Sequence, residues 1–262
     1  MIELDLTQLV HWLERLFWPF VRIGACFMIA PVFGAAAVPA RVRIVLAAAI
    51  AGLVAPLVPL PAGAAPLSAG GLLITVQQVL TGLALGFCLQ LCFDAVNLGG
   101  QMLANSMGLS FALNLDPQRG GSSSTPALGQ LFTLLVTLTF LSLNGHLVLV
   151  ETLARSFTTL PLAPEGLGAS GLHAVASWGS ELFAAALAIA LPGITALLVV
   201  HIAFGVMSRA APALNLFAVG LPVSLLCGLV VVLAGLLAVQ SSFVRELGQT
   251  FRMLAALTGT AG

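Results

Sequence analysis

Residues 44 to 93 read IVLAAAIAGLVAPLVPLPAGAAPLSAGGLLITVQQVLTGLALGFCLQLCF, fifty positions without a charged or histidine side chain. A membrane-spanning helix needs about 20 apolar residues. Proline and glycine residues between positions 56 and 71 divide this run into two apolar parts. The stretch therefore predicts two membrane helices joined by a linker.

The composition of the whole chain extends this interpretation. Of its 262 residues, 60% are hydrophobic and 7% are charged, and the mean hydropathy is +1.12. In soluble domains about a quarter of the residues carry charge. A second uncharged run covers residues 210–244. We therefore expect an all-α polytopic integral membrane protein with about six hydrophobic helical segments, including helical hairpins.

The charged and reactive side chains are scattered rather than clustered. Nine arginines and no lysine balance nine acidic residues, and without a basic run we expect no nucleic-acid partner. The four cysteines, Cys26, Cys88, Cys92 and Cys227, lie in apolar runs and are typical of small core residues. Nucleotide-binding, zinc-hydrolase and nucleophile-elbow motifs are absent. We expect no metal, no cofactor, no catalytic residue and no enzymatic activity.

An arginine lies inside the first apolar segment. We expect this segment to run from about residue 16 to residue 38, followed by a basic turn at Arg41 and Arg43. Arg22 falls within it, and an arginine at membrane depth normally faces protein rather than lipid.

Small and polar residues recur at every fourth position on two predicted helices. The first stripe comprises Gln78, Gly82, Gly86, Gln90 and Asp94, and the second comprises Gly220, Ser224 and Gly228. Residues four apart share one helix face, small residues let helices approach closely, and amides bond across the contact. We interpret both stripes as helix-packing or subunit contacts. A solute path is the alternative for the first.

A polar segment, NSMGLSFALNLDPQRGGSSSTP, interrupts the hydrophobic chain at residues 105–126. Its helix-disfavouring residues are Asp116 before Pro117, and Gly120 with Gly121. Its apolar part comprises Met107, Leu109, Phe111 and Leu113, with Gly108 among them. Non-helical chain at membrane depth is tolerated only where it is buried in protein or lines a water-filled cavity. We predict a pore or plug loop here, with a solvated loop between two spans as the alternative.

The C-terminal third predicts a helical hairpin. Its apolar arms cover residues 181–207 and 214–239, and its turn region carries Arg209, Pro212, Asn215 and Phe217. We expect this turn to face a neighbouring subunit, and a local cap and turn is the alternative. Residues 243–257 have the pattern of an interfacial amphipathic helix.

Two classes of function fit these features. A transporter with six spans would usually show an internal repeat with paired broken helices at mid-membrane, whereas this chain has a single polar interruption. The pattern therefore favours a subunit of a shared assembly. The alternative is a proton-coupled small-solute transporter that uses Asp94, His146 and His201.

An ordered set of residues resembles the FliR family of type III export-gate proteins, whose injectisome counterparts are the SctT family. The set comprises Arg22, Pro31, Phe33, Pro39, Arg41, Gln101, Gly108, Asp116, Pro117, Pro126, the segment FLSLNGH at 140–146, Ser156, Phe157, Pro161, Arg209, Pro212, Asn215 and Phe217. It extends from about residue 20 to residue 222. The family more often has a glycine pair before the histidine, where this chain has Asn144 and Gly145.

The resemblance implies a subunit of the inner-membrane export gate at the flagellar basal body of bacteria. With FliP-like and FliQ-like partners, and FlhB and FlhA nearby, such a gate passes unfolded export substrate polypeptides through the membrane lipid. Residues 1–175 would be the FliP-like part, with a plug loop at 105–126, and residues 176–262 the FliQ-like hairpin with an amphipathic tail. The flagellar assignment, rather than an injectisome, is likewise an expectation from the resemblance.

Overall fold

The computed structural model describes residues 6–59, 68–109, 127–210 and 216–259, and within them the chain forms helices and no strand. The helices in chain order are α1 (Leu6–Ile29), α2 (Ala40–Val54), α3 (Ala69–Ser106), α4 (Ala127–Ser142), α5 (Gly145–Thr159), α6 (Gly168–Ala210) and α7 (Leu216–Leu257). A short 3-10 helix, Ala55–Leu57, extends α2. The predicted all-α class is confirmed.

Several of these helices are suited to a bilayer. Four stretches are long and apolar enough to cross a membrane: Ala40–Leu57, Ala69–Ser106, Gly168–Ala210 and Gly220–Leu257. Helices α4 and α5 meet the same criterion only as a pair, across the break at residues 143–144. The described part of the chain therefore holds four or five candidate spans, which confirms a polytopic membrane protein.

The first segment lies earlier in the chain than the sequence predicted, because α1 begins at Leu6 and ends at Ile29, rather than running from about residue 16 to residue 38. Val32 has a left-handed φ of 70°, and the amide of Gly34 donates a hydrogen bond to the carbonyl of Ala30. The Arg43 guanidinium reaches back from α2, with Nε 3.0 Å from the Phe33 carbonyl oxygen. Pro39 then precedes α2 as its N-cap. The turn is thus closed by hydrogen bonds that an apolar run does not reveal.

The described residues fall into two compact units, each built from separate stretches of chain. The first unit draws on residues 1–91, 140–179 and 247–262, and the second on residues 92–139 and 180–246. Large buried side chains include Trp18 and Phe157 in the first unit and Phe132 and Phe243 in the second. The division at residue 175 into FliP-like and FliQ-like parts follows from resemblance and stays a prediction.

In the first unit, α1 and α3 lie almost backbone to backbone. A Cβ atom at Gly82 would be 2.2 Å from the carbonyl oxygen of Arg22, and one at Gly86 would be 2.7 Å from that of Cys26. Both distances are shorter than any carbon–oxygen contact that a folded protein tolerates. Only glycine at these two positions permits this approach.

The close approach brings a buried arginine to its partners. Arg22 is 1% exposed. Its Nε donates to Gln78 Oε1 on α3 at 2.7 Å, and one terminal nitrogen donates to the carbonyl and the hydroxyl of Ser156 at 2.9 and 3.0 Å. The other terminal nitrogen donates to the Leu160 carbonyl at 2.8 Å, and the guanidinium carbon lies 4.1 Å from the Phe157 ring centroid. One side chain therefore joins α1, α3 and the end of α5.

The acceptors of Arg22 are neutral, and over the described ranges it forms no ion pair with a carboxylate. The Ser156 carbonyl lies in the last turn of α5, where it also accepts the Leu160 amide at 2.9 Å, and the Leu160 carbonyl follows directly after the helix. Carbonyls at this end of a helix carry partial negative charge. A cation placed there satisfies these carbonyls and is stabilised by the helix dipole. The aromatic face of Phe157 adds a further attraction. The arrangement shows how the cost of burying this charge is offset without an acidic residue.

We predict that Gly82→Ala lowers the free energy of unfolding of the purified chain in detergent by about 3 kcal/mol, because the new methyl group would overlap backbone of α1. Gly24→Ala on α1 is the matched control, since nothing lies within 4 Å of a Cβ atom there. It should leave stability unchanged or raise it by about 0.5 kcal/mol. Equal stabilities of the two variants would contradict the close contact.

Arg22→Lys should also destabilise the chain by about 3 kcal/mol. A lysine ammonium keeps the charge but cannot reach all four acceptor atoms of Gln78, Ser156 and Leu160 from one nitrogen, so buried carbonyls lose hydrogen bonds. Arg155→Lys provides the control, because Arg155 forms an exposed pair with Glu151 at 2.7 Å, where about 0.5 kcal/mol or less is at stake. The measurement is again unfolding in detergent, and a neutral Arg22→Lys would show that the hydrogen bonds contribute little.

Candidate functional site

The second half of α3 turns its amide side chains toward α4. Asn97 Nδ2 donates hydrogen bonds to Thr133 Oγ1 at 2.7 Å and to the Gly129 carbonyl at 3.3 Å. Gln101 Nε2 donates in turn to Asn97 Oδ1. These amides therefore form a row of linked hydrogen bonds within the second unit, along the half of α3 that leads to its C-terminal end.

Glycines on the same half of α3 allow its neighbours to approach. A Cβ atom at Gly100 would lie 3.0 Å from Gly129 Cα on α4, and one at Gly99 would lie 3.0 Å from the Ala186 carbonyl oxygen on α6. Helix α3 is thus packed closely against two helices just before the polar segment begins.

Helix α3 ends in a glycine turn. The last helical residue is Ser106, and the amide of Gly108 donates to the Asn105 carbonyl at 3.0 Å. Gly108 has a φ of 81°, in the left-handed region where glycine carries no side-chain penalty. The sequence therefore stops the helix here and redirects the chain.

Met107, just before this turn, is held by α7. Its side chain is 4% exposed and lies across Gly228, where a Cβ atom would be 2.4 Å from Met107 Cγ. The buried Ser224 hydroxyl lies 3.3 Å from the Met107 carbonyl oxygen, to which it donates, and 2.9 Å from the Leu221 carbonyl oxygen. We call Met107, Ser224 and Gly228 the Met107 anchor.

A cavity of about 410 Å³ borders the anchor within the second unit. Its walls are Asn105, Ser106, Gly108, His201, Phe204, Gly205, Gly220, Leu221 and Ser224. The hydroxyl proton of Ser106 is directed to the Met102 carbonyl, and that of Ser224 is shared between the carbonyls of Met107 and Leu221. Their oxygens therefore retain lone pairs as hydrogen-bond acceptors at the cavity wall.

The predicted plug residues are only partly described. Met107 is buried, and Gly108 and Leu109 are half-buried. Outside the described residues lie Phe111, Leu113, Asp116, Pro117, Gly120 and Gly121, and so do Pro212 and Asn215 of the predicted turn. Arg209 is exposed at the end of α6, and Phe217 lies in the first turn of α7. The plug and the partner-facing turn stay predictions.

The two predicted stripes lie in different surroundings along their length. Gln78, Gly82 and Gly86 contact α1, as described above, whereas Gln90 is half-buried and Asp94 is exposed. On α7, Ser224 and Gly228 hold Met107, and Gly220 faces the cavity. Any contact of these residues with another subunit stays a prediction.

The three residues of the transporter alternative are divided between the units. Asp94 and His201 are exposed residues of the second unit, and His146 is a half-buried residue of the first. His146 Nδ1 is buried without a hydrogen-bond partner among the described atoms.

Sequence reasoning missed the seat of Met107 on α7 and the partners of Arg22 on α5. The repeat of Gly220, Ser224 and Gly228 indicated a close contact without saying what fills it. For Arg22, the sequence indicated only that a buried guanidinium needs several hydrogen-bond acceptors, and it did not identify the residues that supply them. Ser156 lies 134 residues away in the chain.

Comparison with known proteins assigns the chain to a family. A family model described as bacterial export proteins, family 1, matches residues 13–250. Flagellar biosynthetic protein FliR of Escherichia coli (strain K12) is 37% identical over 257 residues, covering 97% of each chain. FliR of Pectobacterium carotovorum subsp. carotovorum is 37% identical, with 97% of each chain covered. FliR of Bacillus subtilis (strain 168) is 29% identical over 92% of this chain and 95% of the relative. The chain therefore belongs to the FliR family of bacterial export proteins, membrane components of the flagellar export apparatus.

Proposed function

We propose that the chain assembles with FliP-like and FliQ-like subunits in the bacterial inner membrane, at the flagellar basal body, to form the gate through which unfolded export substrates pass. We propose further that residues 105–126, here called the closing segment, help to close the pore. Family membership supports the export role. An exposed apolar face on one long helix fits the assembly.

That face lies along α6. Its exposed large apolar side chains are Leu172, Phe183, Leu187, Leu191, Leu198, Val199, Ile202, Val206 and Met207. The exposed residues His173, Ser177, Ser180 and Glu181 separate Leu172 from the others, so the apolar run extends from Phe183 to Met207. At about 1.5 Å per residue, this run is about 36 Å long. The hydrocarbon core of a bilayer is about 30 Å thick, and a helix tilted by 40° would cross it in about 39 Å. The run therefore has the length of a membrane-crossing segment, which lipid or the helices of neighbouring subunits can cover.

An exposed apolar face of this kind must be covered by lipid or by protein, because apolar surface is costly in water, and such patches also mark protein interfaces. Apolar helices of other gate subunits are partners that fit this face. Family membership is the observation that most supports a heteromeric assembly over a chain that works alone.

The end of α3 supports the proposal for the closing segment. The segment begins in the last turn of α3, which ends at Ser106 just before the Gly108 turn, and its apolar residues are followed by glycine and serine. Apolar side chains in a pore close it to ions by excluding water. Because they form no strong polar bonds there, a passing polypeptide displaces them at low cost. For the exposed Arg209 and the turn after it, FlhB or FlhA is the proposed partner.

The assembly is tested by co-expression with the neighbouring FliP-like and FliQ-like proteins, purification through a tag on this chain, and native mass spectrometry. We expect one discrete complex that contains all three proteins. Leu187→Gln together with Leu198→Gln, which place amides on the exposed face of α6, should weaken it, whereas Arg155→Gln on α5 should not. Purification of this chain alone, despite good expression of the others, would overturn the proposal and favour a solute transporter.

Deletion of residues 110–119 tests the closing role. Cells that express the assembled gate with this deletion should admit small ions and solutes when export is idle, because the pore loses its apolar filling. Uptake of a small dye or the membrane potential reports the leak. The control is an equal amount of wild-type gate, with assembly verified for both. Unchanged permeability in an assembled complex would rule out the closing role.

A further inference from the structure

We propose that Met107 is the positioning residue that fixes the start of the closing segment on α7, and that the glycine at position 228 is required for it. This inference rests on the proposed closing role. It goes beyond that role by identifying the contact on which the resting position of the segment depends.

The first observation is steric. A Cβ atom at residue 228 would lie 2.4, 2.7 and 2.8 Å from Cγ, Cε and Sδ of Met107. Since three atoms of one side chain are involved, the thioether lies flat across the α7 backbone. Any residue larger than glycine must displace the whole side chain, including Cγ, which cannot move without a change near the Met107 backbone.

The second observation is polar. The Met107 carbonyl stands at the C-terminal end of α3, where helix carbonyls lack intrahelical partners. The buried Ser224 hydroxyl, one turn before Gly228 on the same face of α7, donates a hydrogen bond to it at 3.3 Å. The backbone and the side chain of Met107 are therefore both held by α7. The hydrogen bond fixes the orientation of the Met107 carbonyl, and the packing on Gly228 fixes the position of the side chain.

The third observation concerns the other side of the contact. The cavity of about 410 Å³ borders Gly108, Leu221 and Ser224. Leu221 is the nearest neighbour of Gly108 there, 3.8 Å from a Cβ atom placed on that glycine. Packing therefore holds Met107 from the α7 side, while open space adjoins the residue that follows it. A displaced Met107 would meet little resistance from that direction, so the start of the segment depends on the anchor.

The decisive variant is Gly228→Ala in the assembled gate. We expect permeability of idle cells to a small solute to rise at least about fivefold, because overpacking of this kind biases a two-state equilibrium by that factor or more. Gly235→Ala on the same helix is the matched control, since nothing lies within 4 Å of a Cβ atom there. It should leave permeability at the wild-type level.

Two further variants separate positioning from general loss of structure. Ser224→Ala removes only the hydroxyl and should cause a smaller leak of the same kind in a complex that assembles normally. Combining Met107→Ala with Gly228→Ala should leak no more than Met107→Ala alone, because the smaller side chain leaves room for the new methyl group. Additive leaks would overturn the proposed contact.

A disulfide tests the contact without a leak assay. Met107 Cγ is one bond of about 1.5 Å from Cβ, so the Cβ atoms of cysteines at 107 and 228 would lie within about 3.9 Å, a distance that suits a disulfide. In a background without the native cysteines, oxidation of the Met107→Cys, Gly228→Cys gate should cross-link α3 to α7. The Met107→Cys, Gly235→Cys gate should not cross-link.

The outcomes distinguish the two proposals. If deletion of residues 110–119 causes a leak but Gly228→Ala does not, or the disulfide fails to form in an assembled gate, the anchor is wrong and the closing role stands. If neither the deletion nor Gly228→Ala causes a leak, the closing role fails, and the role of the anchor fails with it even where the disulfide forms.

Discussion

The burial of one guanidinium is the constraint on which the first unit depends. A charge removed from water must find polar partners, and in an apolar helical protein these are scarce. Arg22 finds them in one amide of α3 and in the carbonyls of Ser156 and Leu160 at the end of α5. Helices far apart in the chain are thereby brought to one point, and a break in any of them would leave polar groups unpaired.

The glycines of α3 and the arginine of α1 act together. Gly82 and Gly86 bring the α1 backbone against α3, and Gln78, one turn before Gly82, then lies within reach of the Arg22 side chain. A wider separation of the helices would leave the amide too far away. Close packing without the arginine would lack the polar link to α5. The same helix uses glycines again at Gly99 and Gly100 in the second unit, so α3 is a close-packing helix along most of its length.

The sequence predicted those features that have a local cause. The long uncharged runs predicted the membrane helices, and the chemistry of arginine predicted that Arg22 faces protein. The sequence did not predict which distant segments pack together, because periodicity shows which helix face carries small or polar residues but not which segment covers that face. Ser156, Leu160 and the Met107 seat at Gly228 were missed for this reason. The end of α1 was misplaced because hydrogen bonds around Val32 and Phe33 close a turn inside an apolar run. The plug residues from Phe111 to Gly121 lie outside the described part of the chain, so their role rests on family resemblance and on the proposals above.

Polar and apolar requirements are met differently in this chain. The buried guanidinium of Arg22 finds its partners within the first unit, and the half-buried amides of Asn97 and Gln101 find theirs within the second. The apolar face of α6 from Phe183 to Met207, by contrast, remains exposed. Unpaired polar groups in lipid would cost several kcal/mol each, about as much as a whole helix contact, so they have to be satisfied before assembly. Exposing apolar surface to lipid costs little free energy, so this surface does not have to be buried against a partner before the subunit folds. A subunit of this kind can therefore fold within the membrane first and acquire its neighbours afterwards, with the face of α6 left open for them.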